Sequence, residues 1–115
     1  MKLDRDINTD RKGKYAVVRL RNIKLGDEAH DLLERLKELG HLDWGAPGYP
    51  DEFFVIKLRD KYADAALEAY ANAVLLDSQR ESDEERSKSK YQYAIAVQKL
   101  LQRAGSLSEF CKEPD

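Results

Sequence analysis

Two short runs in the chain have the residue types of β-strands, and they limit it to folds that contain a small sheet. The first is Tyr15-Ala16-Val17-Val18-Arg19-Leu20-Arg21, rich in β-branched and aromatic residues and alternating apolar with basic beyond Val18. Pleating sets Arg19 and Arg21 on one face and turns Val18 and Leu20 inward. The second is Phe53-Phe54-Val55-Ile56-Lys57-Leu58, whose first four residues are apolar without a break, the pattern of the more buried strand. A third, very short strand fits at Leu42–Trp44, ahead of the loop that carries Gly45, Pro47, Gly48 and Pro50.

Helical periodicity fills most of the rest. Asp27 stands where an N-cap belongs, Ala29, Leu32, Leu33, Leu36 and Leu39 repeat at helical spacing, and Gly40 ends the pattern, which predicts a helix over about 27–39. Asp60 opens a second helix over about 61–77, with Tyr62, Ala66, Ala69, Tyr70, Ala73 and Leu76 along one stripe. A polar stretch follows. The acidic turn Asp83-Glu84-Glu85 then suits the positive end of a third helix, over about 83–104, with Tyr93, Ala94, Val97, Leu100, Leu101 and Ala104 on its apolar face.

These elements predict an α+β fold: a small two- to three-stranded sheet packed by three helices. Val17–Asn22 and Val55–Asp60 match in character at each place, and a helix follows each, so the pattern also fits a strand–helix pseudo-repeat. With 115 residues the expectation is one domain over 1–115, burying roughly 65% of its unfolded surface. Residues 1–13 read as an extended arm, and residues 106–115 as a loosely held tail. A two-stranded sheet is marginal alone, so pairing across a strand edge in a homodimer is the expected remedy.

The formal net charge of −2 conceals a split. Residues 1–24 carry eight basic groups against three acids, a net +5, which leaves −7 on the remaining 91 residues. Such an arm can meet an acidic partner or complement the rest of its own domain. No apolar run is long enough for a membrane span, and the start of the chain lacks a signal-peptide core, so a cytoplasmic protein is expected.

Catalytic and metal chemistry find little to work with. The chain has two histidines, His30 and His41, one cysteine, Cys111, no glycine-rich phosphate loop and no paired cysteines. His41 and Asp43 beside Trp44 form the best candidate for a local polar site, which a satisfied turn with a packed Trp explains better. No catalytic residue, metal ligand or cofactor is therefore assigned. Aromatic residues are more informative. Trp44 and Tyr49 in the loop are the two least suited to a core, and with Arg19, Arg21 and Lys57 they make the candidate protein-binding surface. Tyr91, displaced from the stripe of the last helix, is a further residue that can face a partner. The alternative is nucleic-acid binding along a basic strand face of Arg11, Lys12, Lys14, Arg19, Arg21, Lys57 and Arg59, against which stand the acidic balance of the chain and the absence of a recognition motif.

The run from Asp51 through Phe53-Phe54-Val55-Ile56-Lys57-Leu58 to Ala63, continuing to Ala71, resembles small uncharacterised proteins of tailed bacteriophages and prophages, as does Gly13-Lys14-Tyr15-Ala16-Val17-Val18. The likeness covers about half of the chain, residues 13–21 and 51–71, and carries no catalytic signature. It implies work in the bacterial host cytoplasm by a binder that modifies host machinery or blocks a defence system. The function expected from residues and resemblance together is a non-enzymatic protein-binding module, a phage-type accessory protein that binds or inhibits a host protein.

Overall fold

The structure, a computed structural model, describes residues 1–114. Its three α-helices are α1 (Glu28–Glu38), α2 (Ala63–Arg80) and α3 (Glu84–Leu100), with 3-10 turns at Asp4–Asp6, Leu101–Arg103 and Gly105–Leu107. Two compact units divide the chain: Met1–Tyr15 with the described residues from Ile56 on, and Ala16–Val55.

The first unit is built on a helical hairpin. Three short-range devices turn the chain between α2 and α3. The Asp83 carboxylate caps α3 by accepting from the Arg86 N–H at 3.0 Å, Ser87 Oγ donates to the Ser78 carbonyl at 2.7 Å, and Lys90 Nζ reaches Glu81 at 2.7 Å and Asp77 at 3.0 Å. The interface between the helices is made of small side chains. Ala63 and Ala71 of α2 are buried, as are Ala94 and Val97 of α3 and Ala104 just beyond it; Val97 is the largest side chain buried completely. Alanines let the helix backbones approach closely, so dispersion contacts along the hairpin replace bulky core residues.

The ends of this unit are tied to the hairpin. The Met1 amino group donates to Ser89 Oγ at 2.8 Å, and the lead-in is folded on itself, with Lys14 N–H donating to Asp4 Oδ1 at 2.8 Å and the Arg5 guanidinium to the Lys12 carbonyl at 3.0 Å. At the other end, Lys61 N–H donates to the Lys112 carbonyl and Lys112 N–H to that of Arg59, forming one isolated parallel bridge between Asp60 and Lys112. Gly105 has φ +56, and its N–H donates to the Leu58 carbonyl. A Cβ there would run into the Asp64 carboxylate, so the chain can turn back over the start of α2 only at a glycine.

The expected α+β fold is thus corrected: the protein is helical, and no strand or sheet exists among the described residues. Both predicted strand runs are present as single lengths of chain outside regular structure. No backbone group of Tyr15–Arg19 or Phe53–Ile56 is hydrogen-bonded to another described residue. The reason lies in how the flanks are used. A turn closed by Ile23 N–H on the Leu20 carbonyl ends the first run, Asp60 N–H on the Lys57 carbonyl ends the second, and the third run at Leu42–Trp44 is drawn into a turn by Asp43. Without strands the strand–helix pseudo-repeat has no structural counterpart.

Helix positions follow the sequence more closely. The helix expected at 27–39 spans 28–38, that at 61–77 begins and ends slightly later, and that at 83–104 is an α-helix to Leu100 that tightens into a 3-10 turn. The stripe of α3 is as expected, but that of α2 is rotated. Ala63, Ala71 and Ser78 are buried with Leu67, Val74 and Leu75 half-buried, whereas the expected Tyr62, Ala66, Ala69, Tyr70, Ala73 and Leu76 are all exposed. In α1 only Leu33 is buried, and Leu32, Leu36 and Leu39 are exposed.

Two predictions follow from the hairpin. Ala94→Leu places three extra heavy atoms in a site with no free surface and should lower stability by about 1–3 kcal/mol in chemical denaturation, while an exposed Ala66→Leu change is near neutral. Tyr70 and Tyr93 pair edge to face with hydroxyls 2.9 Å apart. Burial, helped by this hydrogen bond, pushes the Tyr93 phenol up from 10.0 to about 12. Since the unfolded chain ionises this group first, the stability it contributes is complete below pH 10 and is lost as pH rises towards about 12. Tyr93→Phe should flatten the alkaline fall in melting temperature over that range without abolishing it, because Lys90, held charged chiefly by Glu81, loses its proton at the same end of the scale.

Candidate functional site

The unit Ala16–Val55 carries one helix and much uncovered apolar surface. Its loop after α1 is held from within. His41 N–H donates to the Leu36 carbonyl and ends the helix, and Asp43 Oδ1 then accepts the Gly45 N–H at 2.7 Å. Tyr49 N–H donates to the Ala46 carbonyl at 3.2 Å, Glu52 N–H to the Tyr49 carbonyl at 3.0 Å, and Glu52 Oε1 accepts from Gly48 N–H at 3.3 Å. Gly45, at φ +64, lies against the Phe53 ring so closely that a Cβ would overlap it. Backbone and carboxylates thus occupy each other, and the large side chains remain exposed in part: Trp44 is 47% exposed and Tyr49 70%.

The two irregular runs at 16–21 and 52–55 add more apolar surface to this unit. Val17 is 88% exposed and Phe54 87%, with Val18, Leu20, Phe53 and Val55 also exposed. The sequence had marked Phe53–Ile56 as the better buried strand, so this surface was missed; the signal for it was the lack of any third long run to cover a sheet. Arg19 and Arg21 belong to this unit and are exposed, while Lys57, also exposed, belongs to the other.

The basic residues of the nucleic-acid alternative are not aligned by a sheet. Arg11 lies 3.7 Å from Asp6, the Lys12 carbonyl is used by Arg5, and the Lys14 N–H by Asp4. Arg59 is half-buried beside the bridge to Lys112. Arg11, Lys12, Lys14, Lys57 and Arg59 fall in one unit, Arg19 and Arg21 in the other.

Polar chemistry is scattered. His41 is exposed and Asp43 is committed to its turn; His30 is half-buried at the start of α1, its Nδ1 without a hydrogen-bond partner and 3.7 Å from Asp31. Cys111 is free and exposed. No group of three or more His, Cys, Asp or Glu residues that could hold a metal occurs among the described residues, and no helix there is long and apolar enough to cross a membrane. In the first unit, an open cleft of about 740 Å³ runs between the lead-in and α3, with Leu3 and Arg5 on one wall and Ile95, Lys99 and Arg103 on the other. Tyr91, singled out in the sequence for its position off the α3 stripe, is 52% exposed and lines this cleft.

Comparison with protein-family models, with curated proteins and with solved structures finds no match to this chain. The functional reading therefore rests on its own residues.

The pinned loop gives a direct expectation. Gly45→Val needs both a left-handed backbone and the space of the Phe53 ring, so it should shift the emission of Trp44, the only tryptophan, while leaving the far-ultraviolet helical signal near wild type.

Proposed function

We propose that this chain is a protein-binding module, a phage-type accessory protein that works in the bacterial cytoplasm by engaging a host protein. The observation that carries the reading is the loop at 43–52: its backbone is fixed by its own carboxylates and carbonyls while Trp44 and Tyr49 face solvent. Aromatic side chains on a preorganised backbone lose little entropy on binding and are the residues that most often dominate interface energy. Arg19 in the same unit supplies charge for an acidic rim on the partner, with Lys57 just beyond it in sequence.

The experiment is capture of partners from bacterial lysate by the purified chain, repeated with Trp44→Ala and Tyr49→Ala. Each substitution should weaken retention of the same partner by tenfold or more, the order expected for a hot-spot aromatic, with a melting temperature near wild type. A large drop in melting temperature instead makes these residues part of the fold. Retention of DNA at low salt that disappears as salt rises, with no protein retained, replaces the reading by nucleic-acid binding.

A further inference from the structure

We propose that the cleft between the lead-in and α3 is a binding site for a single-chain amphiphile with an anionic head, a medium-chain fatty acid carboxylate. Every residue that lines it belongs to one unit, and the loop of Trp44 and Tyr49 belongs to the other. The proposal thus goes beyond the protein-binding reading and does not depend on it.

The lining is sorted by chemistry. Leu3, Leu58, Ile95, Ala96 and Leu100 are half-buried and form an apolar floor, with Tyr91 exposed beside it. Lys99 and Arg103 are exposed on the rim. Along α3 and the turn that continues it, Tyr91, Ile95, Lys99 and Arg103 recur at every fourth residue, which sets them on one ridge about 18 Å long at the helical rise. That ridge is apolar in its first half and cationic in its second.

Charge selects an anion. Four basic side chains line the cleft against two acids, and both acids are engaged: Asp6 lies 3.7 Å from Arg11, and Asp4 Oδ1 accepts from the Lys14 N–H at 2.8 Å. Arg5 donates only to the Arg11 and Lys12 carbonyls, which leaves its charge uncancelled. The side chains of Lys99 and Arg103 have no hydrogen-bond or ion-pair partner among the described residues. The uncompensated charge at the cleft is positive, so a negative group is attracted to it.

Size and polarity select among anions. The volume of about 740 Å³ lies within the roughly 300–1,000 Å³ of small-molecule sites. Two turns of a partner's helix with its side chains, about 10 Å across and 11 Å long, would fill about 850 Å³. An extended peptide would set N–H and C=O groups against leucine, isoleucine and alanine side chains, which cannot bond them. A hydrocarbon chain has no such groups to satisfy. Its tail lies on the floor towards Ile95 and Tyr91, and its carboxylate meets Lys99 and Arg103, whose guanidinium can hold both oxygens.

The test is isothermal titration calorimetry of the full chain with hexanoate, octanoate and decanoate. Each should bind one to one, with affinity rising by up to about fourfold per added methylene. Octanol, which has the tail without the charge, should bind about tenfold more weakly than octanoate. K99Q and R103Q should each weaken octanoate severalfold and leave octanol unchanged, whereas A96F, which fills the floor, should weaken both. Cations at the end of α3 also offset the helix dipole, but that role alone would change the melting temperature without changing the ratio of acid to alcohol affinity.

Absence of saturable decanoate binding overturns the proposal. Equal affinity for acid and alcohol does the same, as does indifference to A96F, which would put the ligand elsewhere. Retention on phosphatidylglycerol vesicles with no binding of the soluble acids also overturns it, in favour of a membrane surface. Partner capture by the W44A and Y49A variants is read separately, so failure of the cleft and failure of the loop as a docking site are distinguished.

Discussion

Close approach of α2 and α3 through alanine is the contact on which the first unit depends. Ala63, Ala71, Ala94, Ala104 and Val97 are buried there, and no larger side chain in the described residues is fully enclosed. A core of small residues gains little from transfer out of water, since burying a Val or larger side chain contributes about 1.5–3 kcal/mol and an alanine far less. The hairpin compensates with position. Its turn is fixed by the Asp83 cap, by Ser87 on the Ser78 carbonyl and by Lys90 between Glu81 and Asp77, and its ends are bound by the returning segment through Gly105 and Lys112. Each tie adds a favourable interaction against the conformational entropy that the thin core must also overcome.

How far the sequence could be read follows from which interactions are local. The Asp83-Glu84-Glu85 start of α3 and its stripe of Ala94, Val97 and Ala104 were legible because one helix face and one cap determine them. The stripe of α2 was not. In an alanine-rich helix the apolar arc extends most of the way round, and Tyr62, Tyr70 and Leu76 draw attention to the wrong side; the arc buried in the hairpin is the one that carries Ala63 and Ala71. Tyr70 stays at the margin, bonded to Tyr93.

The candidate site divides in the same way. Trp44 and Tyr49 were identifiable because Gly and Pro mark the loop, and the structure adds how Asp43 and Glu52 hold it. The expected sheet failed for a reason outside local pattern. Tyr15–Arg21 and Phe53–Leu58 have strand composition, but composition fixes only willingness to pair, whereas a ladder needs a neighbour within hydrogen-bonding distance.

Cover for apolar side chains is scarce in the unit Ala16–Val55, where its one helix, α1, contributes a single buried residue, Leu33. Val17, Val18, Phe53, Phe54 and Val55 are exposed as well, on runs whose backbone groups are bonded to no other described residue. Exposed apolar side chains and unpaired backbone thus fall on the same short runs, so whatever covers one must also satisfy the other.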